Sequence, residues 1–269
     1  MEKEIIKPHN AKAAAVWDKG GMNYDNISYS ISDAIEHCII RLAPKKEEKI
    51  LDVATGTGWA ALKIAERGAR VTGIDFGKEL IESARSKNHL NGHSPDFRIG
   101  DAEKMEFENE SFDAVISTFG VMFVSNPESA AKELSRVCRK NGRIALTTWL
   151  PDSTIFGMFK VMKKYMNVPP NPPPSPFEWG SSERVNELLG DAFELKFEYG
   201  TTVMRVPGGN DAWELFVNSY GPTKNLAESL DDNQRENLKR DFIEYHERYK
   251  TDMGINMPRK YLVTIGVKK

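Results

Sequence analysis

Cysteine is scarce, with Cys38 and Cys138 the only two in 269 residues. Each sits in an apolar helical pattern with no second Cys close by, so no metal-ligand spacing can be drawn and no metal is expected. They read as core thiols. Long apolar runs are missing as well. The start, Met-Glu-Lys-Glu-Ile-Ile-Lys-Pro-His-Asn, lacks the hydrophobic stretch of a secretory signal, and nothing later approaches the roughly 18 apolar residues of a membrane span. A cytoplasmic location without a membrane partner is expected. Nor does one sign of charge dominate. The 37 basic and 39 acidic residues are mixed along the chain for a net charge of −2, which argues against a nucleic-acid backbone or an anionic membrane as partner. Monomer and homodimer both stay open.

What is present begins with enough apolar material, 40% of residues, for one decorated domain or a domain with a cap. Ile31, Ala34, Ile35, Cys38, Ile39 and Leu42 recur at helical steps, predicting an amphipathic helix from Ser28 to Leu42 that Pro44 ends. A strand follows at Lys49 to Val53, then the turn Ala54-Thr55-Gly56-Thr57-Gly58, then a helix carrying Ala61, Leu62, Ile64 and Ala65, with Gly68 as its left-handed cap. The rhythm repeats. Arg70 to Asp75 is a strand, Glu79 to Leu90 a helix stopped by Asn91-Gly92, and Asp96 to Ile99 and Phe112 to Thr118 are strands. Asn126 caps a helix that Asn141-Gly142 closes, before a strand from Arg143 to Trp149. Such alternation implies an α/β fold, a doubly wound parallel sheet with ligands at the carboxyl ends of its strands.

After Trp149 the rhythm breaks. Met158, Met162 and Met166 recur every four residues beside Ile155 and Phe159, first of all as the buried face of a helix. The run from Val168 to Pro176 is too proline-rich for helix or strand interior; it reads as a rigid crossing, or as a docking ligand for a partner. Phe193 to Val206 and Tyr261 to Lys268 predict two closing strands, with helical segments from Asp211 to Tyr220 and from Asp231 to Tyr249 inserted between them. The organisation expected is a ligand-binding core over residues 1–150, with an N-terminal lid, and the remaining strands over 151–269. Helical cap insertions fall at about 151–182 and 207–258, all within a single decorated domain.

The glycine turn lets a ligand approach the start of a helix, because glycine has no Cβ to block it. By itself it also fits a dinucleotide, although Ala61 stands where a third glycine would be. Asp52 separates the two ligands. A carboxylate facing a pyrophosphate about 4 Å away costs roughly 4 kcal/mol at an effective dielectric near 20, whereas S-adenosylmethionine carries an ammonium and a sulfonium and no phosphate. Asp75 ends the second strand 75 − 58 = 17 residues after the last glycine, where a carboxylate meets ribose hydroxyls; alternatively it caps the next helix. Phe76 offers a flat face to a purine, and Asp101 an acceptor to its exocyclic amine.

Ile50-Leu-Asp-Val-Ala-Thr-Gly-Thr-Gly58, Gly73-Ile-Asp75, Gly100-Asp-Ala102 and Ser111-Phe-Asp-Ala-Val-Ile-Ser-Thr-Phe119 resemble the ordered motifs of class I S-adenosylmethionine-dependent methyltransferases, in the branch similar to the ubiquinone/menaquinone-biosynthesis type. The resemblance covers about Trp17 to Trp149. It implies a Rossmann-like seven-stranded sheet with an antiparallel last strand, supplied by Tyr261 to Lys268. It also implies that Asp52, Ala54, Gly56 and Gly58 form the turn at the methionine end, that Asp75 takes the ribose, that Phe76, Asp101 and Ala102 surround the adenine, and that Thr118 stands beside the methionyl group. Trp17 and Tyr24 resemble the lid of this branch; packing on the first helix is the other reading.

Ser117 to Phe123 lacks the Asn/Asp-Pro-Pro-aromatic signature of enzymes that methylate base amines or protein glutamine, so a small-molecule acceptor on O, N or C is expected. Phe119, Phe123, Trp149, Trp179 and Tyr220 are candidate walls for it, with Trp213 and Phe216 nearby, although the last residues equally suit the cap's own core. Holding nucleophile and methyl in line can supply roughly 7–11 kcal/mol, so a base is optional. His9, His37, His89, His93 and His246 are the residues that titrate near neutrality, and none sits in a motif that gives it a role. Two readings compete: an NAD(P)-dependent oxidoreductase sharing the turn and Asp75, and a noncatalytic cofactor-binding or partner module on the same fold.

Overall fold

The computed structural model describes residues 5–87, 95–167 and 172–269. Three helices come first: α1 (Ala11–Asp18), α2 (Tyr24–Ser30) and α3 (Ser32–Leu42). The alternating core follows, as β1 (Lys49–Val53), α4 (Trp59–Ala65), β2 (Arg70–Asp75), α5 (Lys78–Ser86), β3 (Asp96–Ile99), β4 (Phe112–Thr118), α6 (Pro127–Val137) and β5 (Cys138–Trp149). The remainder is α7 (Thr154–Lys163), α8 (Ser182–Leu189), β6 (Phe193–Val206), α9 (Gly209–Ser219), α10 (Gly221–Ser229), α11 (Asp232–Glu247), β7 (Lys250–Thr251) and β8 (Gly254–Lys268).

All eight strands share one sheet in the order β3-β2-β1-β4-β5-β8-β6, with the two-residue β7 paired to β8. The first five run parallel, as buried apolar strands such as Ile50-Leu51 and Ala114-Val115-Ile116 require when helices cover both faces. β8 is antiparallel to both neighbours. This is the Rossmann-like sheet with a reversed last strand, and β8 begins seven residues earlier than Tyr261 because its first half pairs with β6, and at its start with β7, but not with β5. That half overhangs the carboxyl end of β5, whose pairing stops at Trp149 opposite Tyr261.

Several expected boundaries move. The helix from Ser28 to Leu42 is two helices, broken at Ile31, whose backbone (φ −126°, ψ 16°) leaves the helical region; the Ser30 carbonyl there accepts a hydrogen bond from the distant Arg259. The helix before β5 ends at Val137, and Asn141, in a left-handed conformation, lies inside β5 where its register with β4 shifts. Met158 and Met162 are buried on α7, but Met166 lies beyond its end, half exposed. The helix expected to continue to Leu90, with His89, Asn91, Gly92 and His93, runs partly outside the described residues, as does the start of the proline run.

Candidate functional site

The strand ends create the site. Val53 ends β1, and the chain turns through Ala54 at φ 55° and Gly56 at φ 57°; β4 ends in the same way through Phe119 at φ 57°. A left-handed conformation costs a non-glycine residue roughly 1–2 kcal/mol, so both strand ends hold strain where they face the cleft. They also touch. A Cβ on Gly120 would lie 2.5 Å from the Ala54 Cβ, so only glycine fits there.

Over these ends lies a half-open cleft enclosing about 860 Å³. Its walls include Trp17, Tyr24, Ala54, Gly56, Asp75, Phe76, Asp101, Ala102, Thr118, Phe119 and Phe123, which brings together nine of the eleven residues expected to hold the cofactor and two expected at the acceptor. Asp75 receives the amides of Gly56 and Gly77, each at 2.9 Å, so the two readings of this residue are joined: it braces the start of α5 and the glycine turn while facing the cleft. Burial pushes its pKa up to about 6, against the amides of Gly77 and Gly56, which favour the anion.

Two residues of the turn fall outside the cleft. Asp52 is fully buried beneath it, its Oδ2 accepting from the Thr55 hydroxyl at 2.6 Å. The other oxygen makes no well-formed hydrogen bond, the Ala61 amide easing its charge only in part, and burial pushes the pKa up to about 7. Of the two carboxylates, Asp75 is the one in the cleft wall. Gly58 is a packing glycine: a Cβ would lie 2.6 Å from the Phe97 ring, and its φ is 85°.

Asp101 lines the cleft, but its carboxylate is engaged by the N-terminal segment. The Asn10 side chain donates to both oxygens at 2.9 and 3.2 Å, the Lys7 amide to one at 2.9 Å and the Glu103 amide to the other at 2.8 Å. That fills the roughly four acceptor positions of a carboxylate, so an exocyclic amine reaches it only by displacing Asn10 or Lys7. Asn10, Ser28, Ile31, Trp59 and Leu80 also line the cleft and were missed, since nothing in their local pattern distinguishes them from ordinary helix residues.

The lid is held from both ends. Asp18 accepts from the Glu79 amide at 2.7 Å, and Asp25 from the Trp59 indole at 2.9 Å. Trp17 meets Phe123 at 4.6 Å and Tyr220 at 5.2 Å between ring centroids, joining lid to cap. Beyond them a second, smaller chamber shares Tyr24, Ile31, Phe119 and Phe123 with the cleft and adds Trp149, Met158, Phe216, Tyr220 and Arg259. Trp149 and Tyr220 are thus walls of this chamber, Trp149 stacked on Phe119 at 3.9 Å. Trp179 is not a wall: it is buried in the core, its carbonyl accepting from the Thr148 hydroxyl at 2.7 Å. Trp213 packs on Phe242. Among the described residues no histidine lines either space, and His246 is a packed core residue whose pKa burial pushes down to about 4.

A sheet of this order with a glycine turn, an acid at the end of the second strand and a lid over both defines a nucleoside-binding class. The chain belongs to the class I S-adenosylmethionine-dependent methyltransferases, and S-adenosylmethionine is its cofactor. Residues 51–146 match the Methyltransferase domain family. The uncharacterized protein Rv1405c of Mycobacterium tuberculosis is 32% identical over 226 residues, 82% of this chain and 81% of that one. The ubiquinone/menaquinone biosynthesis C-methyltransferase UbiE of Geotalea daltonii is 32% identical over 145 residues, 50% of this chain and 62% of that one. In fold, the crystal structure of a putative methyltransferase (BH2331) from Bacillus halodurans is similar with a TM-score of 0.60 and 22% identity, covering 87% of this chain and 98% of that one. No helix among the described residues is long and apolar enough to cross a membrane.

Proposed function

We propose that the chain transfers the methyl group to a small, largely apolar molecule held in the second chamber, with the cofactor in the cleft. The observation that carries this reading is that the two spaces are neighbours with Tyr24, Ile31, Phe119 and Phe123 as common walls. An acceptor seated among Phe216, Tyr220 and Met158 faces the strand ends directly, and Trp17 and Tyr220 shield the junction from water.

The bound cofactor supplies an electrophilic methyl carbon on a sulfonium, open to in-line displacement. The residues present suit it. Asp75 provides an anionic acceptor for ribose hydroxyls, Phe76 and Ala102 a flat apolar slot for the adenine, and Gly56, Tyr24 and Thr118 the rim at the methionine end. Burial raises the pKa of Asp75 only to about 6, so at neutral pH its carboxylate in the cleft wall is ionised and favours a cationic ligand over a phosphate. Among the described residues no histidine lines either space, and the contribution this reading asks of the chain is positioning and exclusion of water.

Isothermal calorimetry with S-adenosylhomocysteine, followed by turnover of labelled S-adenosylmethionine against a panel of apolar phenols, amines and acids, tests this. Transfer to at least one small acceptor is expected. Methylation confined to protein or nucleic acid in a cell extract would overturn the acceptor reading.

A further inference from the structure

Along β8 every second residue from Ile255 to Tyr261 faces the interior, and Ile255, Met257 and Tyr261 are apolar or aromatic. The remaining inward position is Arg259, which is 1% exposed. Because β8 overhangs the end of β5, this guanidinium lies 5.9 Å from the Trp149 ring and in the wall of the second chamber. Its hydrogen bonds are two, both to Ser30: one to the hydroxyl at 3.2 Å and one to the carbonyl. Its Nε has no partner, and among the described residues no carboxylate comes within ion-pair distance of it. The nearest field is that of Asp33, whose Oδ1 is engaged by the Thr202 hydroxyl at 2.6 Å and the Ala34 amide at 2.9 Å.

A buried cation without a counter-ion is among the most expensive arrangements in a protein interior. Burial lowers the Arg259 pKa only to about 10, so the group stays charged at neutral pH. Ser30 gives it dipoles and no charge, Trp149 is aromatic, and the chamber whose wall it shares is otherwise lined by apolar and aromatic side chains such as Phe216 and Tyr220. The missing charge is best supplied by something that enters the chamber.

We propose that Arg259 is the acceptor-recognition residue, and that the methyl acceptor is an apolar molecule bearing a carboxylate that pairs with this guanidinium. The planar fork of arginine fits a carboxylate with two parallel hydrogen bonds. The apolar body then lies between Phe119, Phe123 and Met158, pointing its nucleophile at the cofactor. This rests on the reading of the second chamber as the acceptor site.

The test compares acid and amide pairs of one shape, 1-naphthoate with 1-naphthamide and decanoate with decanamide, by calorimetry on the protein saturated with S-adenosylhomocysteine. Wild type is expected to bind an acid at least tenfold more tightly than its amide. Arg259→Met is expected to lose that preference, to bind S-adenosylhomocysteine as before, and to melt no lower than wild type, since it removes an uncompensated buried charge. Arg259→Gln serves as a second variant should the methionine disturb packing. Equal binding of acids and amides, no binding of either, or a preference that survives both substitutions would overturn the proposal. Small neutral acceptors methylated in the turnover assay while acids show no advantage would overturn it and leave the chamber as the acceptor site. Failure of S-adenosylhomocysteine to bind wild type would instead remove the reading on which it rests.

Discussion

The Asp75 carboxylate braces the turn and lines the cleft, and its substitution removes both contributions at once. Its Gly56 and Gly77 hydrogen bonds hold the turn, and its place in the cleft wall offers the ribose contact proposed above. Asp75→Ala is expected to weaken S-adenosylhomocysteine binding by about 1.5–3 kcal/mol, the range for a hydrogen bond to a charged group; calorimetry showing unchanged affinity would displace Asp75 from the site. The same bond requires the anion, so wild-type affinity is expected to fall as the pH drops below about 6, where Asp75 takes a proton. Asp52 yields a stability prediction of the opposite kind. Its pKa rises from 3.8 to about 7 in the folded protein, so between those values the folded state holds a proton that the unfolded state has lost. The stability linked to that proton is fully present below pH 3.8 and disappears as the pH rises through 7. Asp52→Asn does not titrate, so in ligand-free protein the melting temperature of the variant is expected to gain on wild type between pH 5 and pH 8. A difference that stays constant across that range would show that Asp52 is ionised throughout.

Among the elements, the cap is joined by glycines at close approach. A Cβ on Gly157 would lie 2.2 Å from the Tyr245 hydroxyl, which donates to the Thr154 carbonyl at 2.7 Å. Gly157→Ala therefore drives α7 away from α11 or breaks that bond, and should destabilise by about 1–3 kcal/mol, read as a lower midpoint in urea; an unchanged midpoint would show that the two helices can part freely. Gly221 does the same between α10 and α1, where a Cβ would meet the Val16 carbonyl at 2.4 Å. Such contacts explain what the sequence reading missed. β1, β2, β3, β4 and β6 have the limits expected of them, because apolar alternation and turn residues are local signals. α10 lies between the two helical segments expected in the cap, and its Pro222 suits the first turn of a helix. The break at Ile31 was hidden, since what takes the Ser30 carbonyl stands 229 residues away.

For the whole molecule, the cofactor half of the site was legible because its residues sit next to strand ends, and strand ends are where local patterns terminate. Asp75, Phe76, Ala102 and Thr118 all line the cleft as the motifs imply. The second chamber was legible only in part: Phe119, Phe123, Trp149 and Tyr220 line it as expected of acceptor walls, but Ile27, Met158 and Arg259 reach it from α2, α7 and the overhang of β8, whose juxtaposition depends on packing over long sequence separations. Arg259 illustrates this: only knowledge that β8 outruns β5 places it above the chamber. The same assembly makes a prediction about coupling. A ligand seated between the strand ends, the lid and Asp75 binds the folded state alone, so at one hundred times its dissociation constant it adds about 2.7 kcal/mol of stability. For a chain of this size that is a rise of roughly 5–10 °C in melting temperature. S-adenosylhomocysteine is expected to produce it and NADH is not, since the pyrophosphate would meet the Asp75 carboxylate at the cleft wall. An equal rise with NADH would mean that Asp75 does not select the ligand, and would return the oxidoreductase reading to contention.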